Sequence, residues 1–223
     1  MDDSSKIPGA TLDRTNLTLR AFYTFGKDDR WSLDAKVQYI NTNADNRPMT
    51  GSNDQNMFRT IYQLPSSMDI RDYSNPLTDE GKINWYNNSG MNLLAELYNT
   101  NHDTRNRFLM NASLKYKFTD WLNAEIKAGS DMYNTESNNK LYAGSNRNNG
   151  NSQYSLEEKK FYENNFSFLI SAQKDHLIDK FGGTMTFGGN LMERKTTGLK
   201  GDATKLTVPN LFNLLNSSKN DRN

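Results

Sequence analysis

Residues 105–134 read RNRFLMNASLKYKFTDWLNAEIKAGSDMYN, and this stretch decides the fold. Apolar side chains occupy every second position from 108 to 118 and again from 122 to 132, with one interruption at Ser130. The intervening positions are mostly polar or charged. A period of two is typical of a β-strand whose two faces meet different surroundings. Because Thr119 and Asp120 supply a tight polar turn, the stretch predicts an antiparallel hairpin.

The same alternation occurs twice more along the chain. Residues 16–25 and 31–39 alternate around the polar turn GKDDR, and residues 165–173 and 184–192 repeat the pattern more weakly. Hairpins are therefore predicted at about 15–42, 105–134 and 165–192. The fold class that follows is all-β, an antiparallel meander of about six strands.

The connections between these strands fall into two classes. Residues 26–30, 119–120 and 174–183 form short turns, whereas 43–104, 135–164 and 193–223 are long, polar and rich in asparagine. Structureless loops of that length are uncommon in compact soluble domains. Transmembrane barrels combine short periplasmic turns with long extracellular loops. The asymmetry thus predicts a segment of a transmembrane β-barrel with long extracellular loops, although alternation alone also suits a soluble β-sandwich.

Aromatic side chains cluster at the short-turn ends of the predicted strands. Phe25, Trp31, Phe118 and Trp121 are predicted to form a membrane-interface girdle, because aromatic rings favour the boundary between lipid and water. On the polar positions we expect a hydrated lumen wall that contains charged residues: Arg20, Asp34, Lys36, Lys115, Lys117, Glu125, Lys127 and Asp131. Opposite charges on neighbouring strands are expected to pair across the sheet.

Composition narrows the class of protein. Apolar residues make up 35% of the chain, which is low for a soluble globular domain, while aromatic residues reach 11%, which is high for a disordered one. The net charge of +1 does not favour nucleic acid as a partner. The chain has no cysteine, and neither His102 nor His176 has the spacing of a zinc helix. No metal, no cofactor and no catalytic residue is therefore predicted.

Several ordered segments resemble the SusC/RagA family of TonB-dependent outer-membrane transporters of Bacteroidetes. LDRTNLTLRAFYTF followed by WSLDAKVQYINTNADNRP is similar to an early barrel hairpin of that family, and residues 105–134 are the most specific stretch. MFRTIYQLPSSMDIRDY resembles its first long loop, in which a short helix runs into a proline. FSFLISAQK, GGTMTFGGNL and VPNLFNLLNSS continue in the same order.

The resemblance implies a function for the whole transporter. It implies import of oligosaccharides or peptides across the outer membrane of a Gram-negative, Bacteroidetes-like cell, with a SusD-like surface lipoprotein as a lid. It also implies outer-membrane lipid, a plug and the remainder of the barrel as partners, and contact with TonB only through an N-terminal part. Neither a plug domain nor a signal peptide is recognisable in these 223 residues, so we expect a partial barrel.

Ligand contacts are expected in the long loops. Trp85, Tyr86 and Tyr142 lie there, and aromatic faces stack on sugar rings. Two other functions remain open. A soluble all-β carbohydrate-binding module would place the apolar rows inside a sandwich. A β-sheet glycosidase would need two carboxylates that face each other across a bond, whereas Asp28/Asp29 and Glu157/Glu158 are merely adjacent.

Overall fold

The computed structural model describes residues 2–4, 9–47, 57–75, 77–86, 99–144, 148–178 and 181–217. Within these residues, seven strands form one antiparallel sheet in which every strand pairs with its neighbours in sequence. The strands are β1 (Asp2–Ser4), β2 (Thr11–Phe25), β3 (Trp31–Asp45), β4 (Asn101–Lys117), β5 (Leu122–Leu141), β6 (Gln153–Ile178) and β7 (Phe181–Ala203). The only α-helix among the described residues is α1 (Met57–Tyr62).

The predicted fold class is confirmed. Six long strands run as an antiparallel meander, and the three-residue β1 adds a short seventh strand at one edge. The described strands do not close on themselves, because β1 and β7 end the sheet at opposite edges. The short helix expected before a proline is present as α1, which precedes Pro65 in the loop between β3 and β4.

The strand register places all the alternating apolar residues on one face, which we call the apolar face. Four alanines illustrate this arrangement, since each stands directly opposite the next across β2, β3, β4 and β5: Ala21, Ala35, Ala112 and Ala128. The row continues through Phe166 on β6 to Leu191 on β7. The opposite face, the polar face, contains the charged rows that the sequence assigned to it.

The predicted strand boundaries are too short. Residues 135–141 and 153–164 were expected in a loop but belong to β5 and β6, so only 142–152 connect these strands. Residues 193–203 likewise belong to β7. The physical reason is that both faces of these extensions are mostly polar, as in NTESNNKL at 134–141, and the few apolar residues of the β6 extension do not alternate regularly with polar ones. The backbone ladder continues there, but the period-two signal disappears.

Few large side chains are buried. Large residues on the apolar face are exposed, including Leu19 at 65%, Ile126 at 58% and Phe187 at 64%. Among the described residues, the buried apolar ones are three alanines together with Ile40 inside β3 and Leu206 just after β7; the alanines are Ala10, Ala44 and Ala203. The described residues therefore form a single-layered sheet whose apolar face is uncovered. None of the described helices is both long enough and apolar enough to span a bilayer.

Candidate functional site

The predicted girdle residues lie together at the short-turn end of the apolar face. Phe25 stacks on Trp31 with ring centroids 5.9 Å apart and an interplanar angle of 9°. Trp31 contacts Tyr116 at 4.5 Å, and Tyr116 meets Phe118 edge-on at 4.7 Å. The structure thus joins three of the four predicted residues in one series of rings that crosses the β2–β3 and β3–β4 pairings.

Trp121, the fourth predicted girdle residue, lies in the short turn between β4 and β5. Its side chain is 46% exposed, and its backbone carbonyl accepts a hydrogen bond from the Gln173 amide of β6. This bond fixes the turn against the neighbouring strand. Trp121 therefore stands at the same end of the sheet as the ring series, three residues after Phe118 in the sequence.

Ion pairs on the polar face join residues that do not stand directly opposite each other in the register, either on neighbouring strands or along one strand. Arg20 stands opposite Lys36 in the register, yet its guanidinium donates to Asp34 at 3.0 and 2.6 Å. Glu125 stands opposite Lys115, but its carboxylate pairs with Lys127 on the same strand at 3.1 Å. The expected pairing of opposite charges is present, with partners that the register alone does not identify.

A cluster of one arginine and two aromatic rings lies on the polar face, on the side of the apolar rows away from the short turns. The Arg105 guanidinium carbon lies 5.0 Å from the centre of the Tyr133 ring, and Arg105 Nε donates to Thr135 Oγ1 at 2.9 Å. Tyr133 stacks on Phe161 with centroids 4.8 Å apart and an angle of 16°. Sequence reasoning missed this group because it assigned Phe161 to a loop. No period-two pattern marks these positions, and the register between β5 and β6 is what brings the rings together.

The loop between β3 and β4 contains a cluster of three rings. Trp85 contacts Tyr73 at 4.9 Å and Tyr86 at 5.4 Å, and the Tyr86 hydroxyl donates to the Gln63 carbonyl at 3.3 Å. Trp85 Nε1 is buried without a hydrogen-bond partner in the described residues. Sequence reasoning singled out Trp85 and Tyr86, whereas the contribution of Tyr73 depends on how the loop folds.

Tyr142 lies in the connection that follows β5, beside the loop that contains Trp85. Its backbone N–H donates to the Asn99 side chain at 2.8 Å. Two residues further on, Gly144 adopts φ +92° and approaches so closely that a Cβ there would lie 2.5 Å from the Gly81 carbonyl oxygen. The two loops that contain the predicted ligand residues are therefore in contact at Gly81 and Gly144.

Two ion pairs in the loop between β3 and β4 join residues that are close in sequence. Arg71 donates to Asp69 from its guanidinium and from its backbone N–H, and these bonds hold the pKa of the Asp69 carboxyl below its ordinary value of 3.8. A hydrogen bond from Lys82, together with its charge, likewise lowers the pKa of Glu80. Both carboxylates stay ionised at neutral pH and act as fixed acceptors. The described residues contain no group of three or more His, Asp or Glu side chains placed to hold a metal ion.

The segment after β7 forms a compact loop that is held together by hydrogen bonds of asparagine side chains. Asn216 Nδ2 donates to the carbonyls of Val208 and Leu211, both at 2.8 Å, and its Oδ1 accepts from the Val208 amide at 3.0 Å. Leu206 is buried beneath this loop, while Val208 and Leu215 are exposed. The loop therefore has internal order of its own and presents apolar side chains outward.

Comparison with known proteins shows a likeness at the level of fold. No protein family and no curated protein matches the chain. It is similar to solved chains of the RagAB peptide importer in the "open-open" state (14% identity, TM-score 0.64, covering 94% of this chain and 23% of that one) and in the "closed-closed" state (13%, 0.66, 100% and 25%). A further RagAB peptide transporter structure matches at 12% identity with a TM-score of 0.66, covering 96% and 24%. The chain spans about a quarter of the length of these chains, and its sheet has the fold of a segment of their barrels.

Proposed function

We propose that this chain forms part of the wall and extracellular loops of a SusC-like, TonB-dependent transporter in the outer membrane. Support comes from the similar fold of the RagAB chains and from the ordered sequence segments that resemble the SusC/RagA family. The proposed layout keeps the three hairpins as wall and the long connections as extracellular loops, with the short turns in the periplasm. The proposed host is a Gram-negative, Bacteroidetes-like cell.

The uncovered apolar face is the observation that carries this proposal. Residues such as Leu19 and Ile126 are more than half exposed, and a ring series borders them at the short-turn end. Exposed apolar surface of this extent is unfavourable in water and marks an interaction with lipid or protein. A soluble carbohydrate-binding module would need a second layer over this face, and the described residues provide none.

The open edges of the sheet and the family resemblance indicate which partners the chain requires. Unpaired backbone groups at an open sheet edge cost several kcal/mol each within lipid, so β7 requires a further strand. We propose that the remainder of the barrel and a plug supply this closure, that TonB acts through an N-terminal part, and that a SusD-like lipoprotein covers the mouth. The related solved structures are described as peptide importers.

Trp85, Tyr86 and Tyr142 are proposed to contact the imported peptide or oligosaccharide. Trp85 and Tyr86 form a ring cluster with Tyr73, and the loop that contains Tyr142 contacts the same region through Gly144. Aromatic faces of this kind stack on sugar rings and on apolar peptide side chains. Replacing Trp85 by alanine in the full-length transporter should weaken ligand binding, and unchanged affinity would remove Trp85 from the site.

Cell fractionation tests the proposed function. An antibody raised against residues 142–152, the connection between β5 and β6, is used to probe separated membranes and cytosol. We expect a band in the outer-membrane fraction at a mass far above the 25.5 kDa of this chain. A band near 25.5 kDa in the soluble fraction would contradict the transporter and favour the carbohydrate-binding module, for which a screen of sugar ligands is the next assay.

A further inference from the structure

Arg105 differs from Arg20 and Arg107, two other arginines of the polar face, in the contacts that hold it. Arg20 and Arg107 each form a bidentate pair with an aspartate. Arg105 instead donates through Nε to the Thr135 hydroxyl and lies over the Tyr133 ring, and no carboxylate among the described residues forms an ion pair with it. Its orientation is thus fixed by neutral groups, and its charge is available to a ligand.

A second cation stands in the same register row. Arg105 is opposite Thr135, and Thr135 is opposite Lys159, so one strand separates the two cations. Strands lie about 4.8 Å apart, which puts the two backbones about 10 Å apart. Thr135, which is only 9% exposed, lies on the strand between the two cations. Arg105 and Lys159 can therefore approach one anion from both sides.

Two stacked aromatic rings lie beside Arg105 and Lys159. Tyr133 and Phe161 are opposite each other on β5 and β6 and lie two residues along the strands from Thr135 and Lys159, on the same face. On the polar face of β5 the neighbouring carboxylate is that of Asp131, and it is occupied by Arg107. A paired ring surface beside two cations fits an anionic group attached to an apolar or ring-shaped body.

We propose that Arg105 and Lys159, with the Tyr133–Phe161 ring pair, form a carboxylate-binding site on the wall of the transporter lumen. This proposal rests on the proposed function, which makes the polar face the lumen. The planar guanidinium suits a carboxylate because it offers parallel N–H donors. The carboxylate belongs either to an imported peptide or to a uronic acid in an imported oligosaccharide, and the chemistry of recognition is the same.

The test uses the purified full-length transporter and two pairs of probes. A tryptic digest of serum albumin is compared with the same digest after its carboxylates are converted to neutral methylamides. Oligogalacturonate is compared with its methyl ester. Each probe is incubated with the protein, the complex is isolated by gel filtration, and the retained ligand is quantified by mass spectrometry. Retention of the charged digest would identify a peptide as the source of the carboxylate, and retention of oligogalacturonate would identify a uronic acid.

We expect the neutral form of the effective probe to be retained at least tenfold less than its charged form. The Arg105→Gln variant should lower retention of the charged probe to the level of the neutral one, and Lys159→Gln should lower it by a smaller factor. Arg20→Gln, on the same face but in a different row, is the matched control and should behave as wild type. A heat-induced mobility shift in gels verifies that each variant is folded.

Three outcomes would overturn the carboxylate site. These are equal retention of charged and neutral probes, wild-type retention by a folded Arg105→Gln variant, and no retention of either charged probe by wild-type protein. Each of these leaves the proposed function intact if the protein resides in the outer membrane. Recovery of the protein from the soluble fraction would instead refute the proposed function itself, so the two failures are distinguishable.

Discussion

Arg107 of β4 donates two hydrogen bonds to Asp131 of β5, at 2.8 and 2.6 Å, although the register places Arg107 opposite Tyr133. The diagonal contact has a clear electrostatic effect. Asp131 stands directly opposite Glu163 of β6, and like charges opposite each other destabilise a sheet. The guanidinium of Arg107 offsets this repulsion at the Asp131 end, while Arg194 stands opposite Glu163 on β7.

Loss of the Arg107 charge should therefore destabilise the wall. Arg107→Gln leaves Asp131 beside Glu163 without its counter-ion, and we expect a loss of about 1–2 kcal/mol in the free energy of unfolding. Arg20→Gln is the control, because the Arg20–Asp34 pair is more exposed and such pairs contribute less than about 1 kcal/mol. Urea unfolding in detergent, followed by gel mobility, measures both; equal losses would contradict the role of Glu163.

The lipid-facing assignment predicts different effects at two adjacent positions of β2. Leu19 lies on the apolar face and Thr18 on the polar face, and both are exposed. Arginine on the lipid face of a barrel costs about 2–4 kcal/mol near the bilayer midplane. Leu19→Arg should therefore lower folding stability in lipid vesicles by about 2–3 kcal/mol, whereas Thr18→Arg should change it by less than about 0.5 kcal/mol. Similar small effects at both positions would exclude the lipid-facing assignment.

The sequence predicted the faces of the strands well because period-two alternation directly separates the apolar side chains from the polar ones. The four alanines of the shared row, from Ala21 to Ala128, were assigned to one face from three separate segments, and the register brings them side by side. The strand ends were predicted poorly. Beyond the apolar rows both faces of β5 and β6 are mostly polar, so no clear period remains, and the backbone hydrogen bonds alone extend the strands.

Sites built from residues of several strands could not be predicted from the sequence, because their formation depends on the strand register. Trp85 and Tyr86 are neighbours in sequence, so their cluster was accessible, whereas Arg105, Tyr133 and Phe161 come from three strands. Their proximity depends on the register between β4, β5 and β6. The apolar rows, which lie nearer the short turns in the same strands, specify the register. The backbone hydrogen bonds then keep the same register in the polar extensions of these strands.

The girdle assignment makes a prediction for tryptophan fluorescence. Trp31 and Trp121 lie at the short-turn end, whereas Trp85 lies in the loop between β3 and β4. In single-tryptophan variants reconstituted in vesicles, a spin label near the lipid headgroup should quench Trp31 and Trp121 more than a label deep in the acyl chain. Trp85 should be quenched by neither. Strong quenching of Trp85 by lipid labels would mean that this loop lies in the membrane.

Asn216 should control the order of the loop after β7. Its side chain makes three hydrogen bonds to the backbone, whereas the Asn213 side chain makes one, in which its Oδ1 accepts from the backbone N–H of Leu215. Asn216→Ala leaves those backbone groups unpaired, so we expect local opening to become easier by about 1–3 kcal/mol. Amide hydrogen exchange at Val208 should rise by about fivefold or more, and Asn213→Ala should give a smaller increase. Unchanged exchange in both variants would show that Leu206 burial alone holds the loop.

Two glycines of β7 should respond in opposite ways to substitution by alanine. A Cβ at Gly188 would lie 2.6 Å from the backbone carbonyl oxygen of Phe168 and 2.9 Å from the Leu169 side chain, which is closer than real contacts allow. At Gly198 the only neighbour is the Glu158 carbonyl at 3.5 Å, an ordinary van der Waals contact.

Gly188→Ala should therefore force β6 and β7 apart and destabilise the wall by about 1–3 kcal/mol. Gly198→Ala should be neutral or stabilising by up to about 1 kcal/mol, because alanine loses less backbone entropy on folding. Urea midpoints in detergent compare the two variants under identical conditions. If Gly188→Ala were as stable as wild type, the β6–β7 pairing would have to relax at Phe168 without loss of its backbone hydrogen bonds, and the close approach would not be a constraint on this strand.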